Sequence, residues 1–204
     1  RVVRFSSVVF WVSCGSHLSG VLRYVVSIFL FKPYTFCFCF AFSVSHTTRD
    51  PRPGEQDGKD YHFVPRDKMK RLIDEGKFLE YAEFAGNIYG TSLDAVKKVQ
   101  SSGKICVLDI EMEGVKAVKK SDLNSRFVFI SPPSYEVLEK RLRDRGTETE
   151  EKLQARLLRS KVDMEFSKTP GIFDLIVIND DLEKAFKTLE DFLIADINLL
   201  KSKQ

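Results

Sequence analysis

Arg49 and Arg52 flank a proline-restricted turn in the stretch Phe42–Val64, FSVSHTTRDPRPGEQDGKDYHFV. A guanidinium fork can bind phosphate bidentately, and proline reduces the entropy lost in holding such forks in place. Two arginines on a polar loop are commonly just solvated, and alone these two would be read that way. Their company argues for chemistry. Tyr61 and Tyr89 fall at expected strand ends, each with a hydroxyl to offer, and Glu80 falls on a short strand opposite them. A carboxylate there can accept two parallel hydrogen bonds from a base edge carrying N1–H and a 2-amino group, which is guanine's edge. Ser45 and Thr91 add small hydroxyls suited to the O6 of such a base.

Further along, Asp109 ends an apolar run, KICVLDI. Ligands of open α/β sheets gather at the carboxyl ends of strands, and a carboxylate there can hold magnesium through water. A solvated strand-end aspartate is the plain alternative. Arg141 and Arg145 lie on one face of an expected helix, and Arg156 follows on the next. They read either as a charged surface paired with Glu148, Glu150 and Glu151, or as a mobile lid that neutralises a transferring phosphoryl group.

The elements that must position these groups follow from periodicity and punctuation. Val44-Ser45 is short and extended, and Tyr61–Val64 and Phe78–Phe84 alternate as strands do. In the latter, Glu80 and Ala82 share one face. Gly86-Asn87 is a hairpin turn, and Ile88–Gly90 returns to complete a small antiparallel unit. Pro65–Glu75 reads as a helix with Gly76 as its stop, and Thr91 or Ser92 caps another that ends near Ser102. KICVLDI, RFVFI (Arg126–Ile130) and FDLIVI (Phe173–Ile178) read as strands buried on both faces of a parallel sheet. Helices follow over Met112–Lys119, Ser134–Arg145, from a Thr147/Glu150 capping box to Phe166, and from an Asp180/Glu183 capping box to Leu200. Strands alternating with helices mean an α/β domain with a parallel sheet.

The chain has 204 residues, about one domain. A formal net charge of +3 implies no nucleic-acid partner. Cys106 reads as a buried thiol, and no CxxC pair or metal-spaced histidine set is present. Residues 1–42 carry Arg1, Arg4, Arg23 and Lys32 but no acid. Four readings of this head compete. It is a membrane span, although serines, His17 and two glycines interrupt Phe5–Leu22. It is a signal peptide. It is a degenerate phosphate loop, with VVFWVSC as its strand and Gly15 and Gly20 in GxxxxG spacing, but with Val21 and Leu22 where lysine and a hydroxyl residue belong. Or it is translated non-coding sequence, as its Phe, Cys, Ser, Leu and Val content and the FCFCF repeat indicate.

From Phe42 to about Ala195 the sequence resembles the guanylate kinases, which move a phosphate from ATP to GMP. The matching stretches are the opening one above, FLEYAEFAGNIYGTS, ICVLDIEMEGVKAVK, RLRDRGTETEEKLQARL and FDLIVINDDLEKAF. The resemblance implies a P-loop-NTPase-like three-layer parallel sheet, with a small antiparallel GMP-binding insertion and a helical lid. It assigns the GMP site to Ser45, Arg49, Arg52, Tyr61, Glu80, Tyr89 and Thr91, and adds Asp109 and Glu111. Glu111 stands where the family usually has Asp and is one methylene longer, and Glu113 stands where the family often has Gln. The catalytic lid arginines become Arg141, Arg145 and Arg156, and Asn179 falls near the adenine of ATP. Asp109 would face magnesium through water.

The expected layout is a head at residues 1–41, a family domain at 42–195 with its GMP-binding part at about 43–94 and lid at about 136–165, and a tail at 196–204. The family's first strand, Gly-rich phosphate loop and first helix are expected to be missing or replaced, so GMP is expected to bind weakly and phosphoryl transfer from ATP with Mg2+ to be impaired. A cytosolic setting without a membrane anchor is expected. The alternative is an inactive guanylate-kinase-like module that binds phosphorylated peptides.

Overall fold

The computed structural model describes residues 7–12, 39–84, 86–145 and 149–202. Within the head, Ser7–Val12 is a strand, β1. Gly15, Gly20, Val21 and Leu22 lie outside the described residues. The rest falls into two compact units, Cys39–Ser125 and Arg126 onward.

In the first unit β2 (Phe40–Phe42) runs parallel to β7 (Ile105–Asp109), with Ala41 opposite Cys106. Four successive buried residues of β7 and an open Asp109 at its end match the expectation for a strand of a covered parallel sheet. A second sheet has the order β4-β3-β6-β5, from β3 (His46–Thr47), β4 (His62–Phe63), β5 (Phe78–Phe84) and β6 (Asn87–Ser92). Pairing in this sheet begins at His46–Thr47, just after Val44-Ser45, where Ser45 O accepts the His62 N–H at 2.8 Å. One expectation is corrected here. The sheet is mixed, since β4 joins β3 in parallel while β3–β6 and β5–β6 are antiparallel.

Three helices frame this unit. α1 (Arg66–Asp74) begins after Pro65 and stops at Gly76, whose φ of +67° suits glycine. α2 (Leu93–Ser101) is capped by Ser92, whose Oγ accepts the Ala95 N–H at 3.2 Å. α3 (Met112–Lys120) follows β7 and buries Gly114, Val115 and Val118.

In the second unit β8 (Ser125–Ser131) pairs in parallel with β9 (Leu175–Ile178). α4 (Tyr135–Arg145) and α5 (Glu150–Ser167) are joined by Leu138, Leu142, Leu153 and Leu157, with Tyr135 packed against them. Thr147 of the expected capping box lies outside the described residues. α6 (Leu182–Lys201) buries Ala185, Phe186, Leu189, Leu193, Ile197 and Leu200 along one face. Asp196 shares that face and is held by Arg126, Nε to Oδ2 at 3.1 Å.

FDLIVI was expected to be buried on both faces. Instead Ile176 and Ile178 are 43% and 53% exposed, and only Val177 of β9 is fully buried. One face of β9 therefore stays open. A continuous apolar run does not by itself distinguish a doubly covered strand from a singly covered one. The cap of α6 is also one residue later than expected. Asp181, not Asp180, accepts the Lys184 N–H at 2.9 Å, because its extended backbone (φ −109°, ψ 126°) aims the carboxylate at the first turn. Asp181→Ala should therefore cost about 1 kcal/mol of stability, while Asp180→Ala stays within about 0.5 kcal/mol. Paired urea melts check this.

Candidate functional site

The residues expected to meet a monophosphate and a purine all lie in the first unit. They form two corners. The first is built on the loop after β3. Arg52, Pro53, Gly54 and Glu55 close a type II turn, in which the Glu55 N–H donates to Arg52 O at 3.0 Å. Pro53 pre-sets the second position, and Gly54 takes φ +86° at the third, where a side chain would be strained. Glu55 then reaches back to Arg49, accepting from Nη1 at 2.9 Å and from Nη2 at 3.0 Å. The guanidinium lies 5.5 Å from the Tyr61 ring centre and 5.8 Å from that of Phe63. Tyr61 and Tyr89 meet edge-on at 6.3 Å. Arg52 is exposed on the turn.

Burial works to lower the Arg49 pKa, but the Glu55 hydrogen bonds outweigh it and hold the guanidinium above its usual range. The reciprocal holds for Glu55, which burial would raise and Arg49 lowers. Burial pushes the Tyr61 hydroxyl well above its ordinary value, with the charge of Asp109 adding to the effect. Tyr61 thus stays a neutral donor near neutral pH.

The second corner is built on β5 and β6. Glu80 pairs across the ladder with Thr91, and its side chain is buried at 8% exposure. It lies against Gly114 of α3, and a Cβ at Gly114 would come within 2.9 Å of Glu80 Oε2. No larger residue fits there without moving the carboxylate. Burial lifts Glu80 from its ordinary 4.5 to about 7. The Thr91 hydroxyl and N–H pull in the opposite direction, and the charges of Glu111 and Asp109 add to the rise. Thr91 Oγ1 is close enough to act through its dipole, yet it is buried and makes no hydrogen bond of good geometry among the described residues. A carboxylate and an unsatisfied hydroxyl side by side suit a ligand edge that presents two donors and one acceptor.

Asp109 is open to solvent at the end of β7, yet dense protein surroundings disfavour its charge. That desolvation, with Glu111 beside it, lifts it from 3.8 to about 7. The mutual electrostatic influence of Tyr61, Asp109, Glu80 and Glu111 ties the two corners together. Glu111 is half-buried at the N-cap of α3. Ser45 is half-buried and uses its carbonyl in the sheet.

Sequence reasoning did not single out several residues whose burial or contacts the structure makes notable. Glu55 was an acid on a polar loop, with only its distance from Arg49 across a Pro-Gly turn as a signal. Gly114 carried no signal at all. Ser43 Oγ is buried without a partner among the described residues. His46 stacks on His62 at 4.6 Å, and burial, with His62 beside it, lowers its pKa to about 4. Cys106 is a buried thiol as expected, pushed up to about 12 by burial.

The lid arginines belong to the second unit. Arg141 Nη1 donates to Asn179 O at 2.8 Å, so two of the expected residues meet directly. Arg156 is 6% exposed within α5. Arg145 closes α4, and its side chain lies outside the described residues. Arg143 bonds Glu150 at 2.8 and 3.0 Å and Glu139 at 2.9 Å. Among the described residues no group of three or more His, Cys, Asp or Glu could hold a metal. No helix of theirs is long and apolar enough to cross a membrane.

Residues 11–196 match the family model described as guanylate kinase. The chain is 58% identical to a guanylate kinase of Sus scrofa over 155 residues, 76% of this chain and 78% of that one. It is 54% identical to a guanylate kinase of Homo sapiens over 155 residues, 76% and 79% of the two chains. Among solved structures, that of guanylate kinase from Anaplasma phagocytophilum is similar at a TM-score of 0.68 and 26% identity, covering 94% of this chain and 86% of that one.

Proposed function

The chain belongs to the guanylate kinase family, and from that membership we propose that it binds GMP in the first unit and accepts a phosphoryl group onto it from ATP. The observation that carries this reading is the buried Glu80 carboxylate beside the unsatisfied Thr91 hydroxyl, in the same unit as the Arg49–Tyr61–Tyr89 corner. Glu80, as a carboxylate, accepts from guanine N1–H and the 2-amino group. Thr91 and Ser45 serve O6, and Asp109 and Glu111 flank the base. Arg49, Arg52, Tyr61 and Tyr89 hold the phosphate by charge and by neutral hydroxyl donors.

Arg141, Arg145 and Arg156 are the proposed source of positive charge for the transferring group, and Asn179 is proposed to face the adenine of ATP. Magnesium, which the family implies, supplies charge neutralisation on the nucleotide phosphates. The described residues offer no metal cage of their own. Asp109, through water, is the carboxylate proposed to face the ion. Buried free thiols at Cys39 and Cys106 suit a reducing, cytosolic setting.

We further propose that acceptor binding outlasts transfer in this chain, since the sequence holds no Gly-rich loop of the GxxGxGKS kind, and Val21 and Leu22 follow its one GxxxxG spacing in the head in place of lysine and a hydroxyl residue. GMP-dependent ADP formation tests this, with the chain as it is and with residues 1–41 exchanged for a family-type strand, Gly-rich loop and helix. The exchange should raise kcat at least about 100-fold and leave the GMP Kd unchanged. Equal rates in the two proteins would defeat the impairment. Capture of phosphopeptides without GMP binding would favour the interaction module.

A further inference from the structure

Five donors of Arg49 are divided in an uneven way. Glu55 and the Asp50 carbonyl, at 2.6 Å, take the outer fork made by Nη1 and Nη2. Nε–H is buried and makes no hydrogen bond among the described residues. Nε–H and the second proton of Nη2 form the other two-donor edge of the same plane, with the spacing of two phosphate oxygens. The plane cannot rotate to exchange its edges. Glu55 grips one side in two bonds, and the Tyr61 and Phe63 rings lie 5.5 and 5.8 Å from its centre. Glu55 is itself fixed, because its Oε2 accepts the Arg52 N–H at 2.7 Å and its own N–H closes the type II turn.

We propose that Glu55 is a positioning residue that turns the Nε–Nη2 edge of Arg49 toward the phosphate of the acceptor nucleotide and keeps the outer fork out of use. This rests on the acceptor reading given above. Two opposite roles for Glu55 are thereby separated. A carboxylate competing with the phosphate for Arg49 would have to leave on binding, whereas one that holds the far edge stays in place while the phosphate arrives. The negative charge of Glu55, bonded to the Arg49 fork and to the Arg52 N–H, is also felt by both arginines and offsets their repulsion before a dianion is present.

Calorimetric titration of the full chain with GMP and with guanosine tests this, using Glu55→Gln and Glu55→Ala. The glutamine variant keeps the shape and one acceptor. It carries the test even where the alanine variant, which strands a half-buried guanidinium, fails to fold. GMP binding should weaken about tenfold in E55Q and about 30-fold in E55A, with guanosine affinity held within about twofold. The Arg49 Nε–H proton resonance should move on adding GMP and stay in place with guanosine. Tighter GMP binding in either variant would establish competition and overturn the proposal. So would an unmoved Nε–H resonance, or equal losses for GMP and guanosine, the mark of a merely structural role. A wild-type chain that binds GMP no better than guanosine overturns the acceptor reading, and this inference with it.

Discussion

Glu80→Gln should weaken guanosine and GMP alike by about 100-fold or more, because the amide presents donors to a ligand edge that also donates and leaves buried groups unpaired. The same variant should melt at a higher temperature than the parent at about pH 8. The sign follows from the pKa, which rises from 4.5 to about 7 on folding, chiefly by burial. Between those values the folded chain binds more protons than the unfolded one, so stability falls as pH climbs through the window. An uncharged glutamine removes that loss. Guanosine, which carries no titrating phosphate, should bind the parent chain more tightly as pH rises through about 7, when Glu80 becomes the acceptor it must be. Asp109 titrates over the same range, so the variant should keep a shallower pH dependence rather than none. Calorimetry at several pH values, with thermal melts alongside, measures all of this. A variant with unchanged guanosine affinity would remove Glu80 from base recognition.

Gly114→Ala should lower guanosine and GMP affinity about tenfold or more with almost no change in melting temperature. The added methyl would stand 2.9 Å from Glu80 Oε2 and 3.0 Å from Ile110 Cβ. A carboxylate at the end of a side chain is the part that can give, so it should swing off its acceptor position. Meanwhile alanine favours a helix interior over glycine by about 1 kcal/mol, which offsets the local strain at this buried position of α3. Binding and stability therefore separate, and their separation distinguishes displacement of Glu80 from general disruption. A drop in melting temperature that accounts for the binding loss would count against this account.

What could be read from the residues alone was what local chemistry controls. Phe78–Phe84 has the expected bounds, because alternation, a Gly-Asn turn and the returning run are all short-range signals. Ser92 and Ser134 cap their helices as serines before periodic runs do. Asp180 and Asp181 are both plausible caps, and only the backbone angle at Asp181 decides between them. The open face of β9 was invisible, since apolar composition reports compatibility with burial rather than the presence of a cover. Of the candidate residues, Arg49, Tyr61, Tyr89, Glu80 and Thr91 could be named from residue type and motif order, and the fold brings the first three together and pairs Glu80 with Thr91. Gly114 was not, because its importance lies in a contact with Glu80 that no sequence spacing encodes. Glu55 was hidden for the opposite reason. Its contact is local, but an acid on a polar loop carries the same signature whether it meets water or a guanidinium.

The central place of β6 has a kinetic consequence. At Tyr89 and Gly90 this strand is paired on both sides, to β3 and to β5, whereas Pro51–Gly54 on the arginine loop are exposed. Amides at Tyr89 and Gly90 should exchange with solvent deuterium only when the sheet opens, and those of the loop should exchange far sooner. On the proposed reading the purine would thus meet a surface that is already set, while on the phosphate side the exposed Arg52 would be the group left to adjust, on the fast timescale of loops. Association should accordingly run in two phases, docking of the base followed by a concentration-independent tightening around the phosphate.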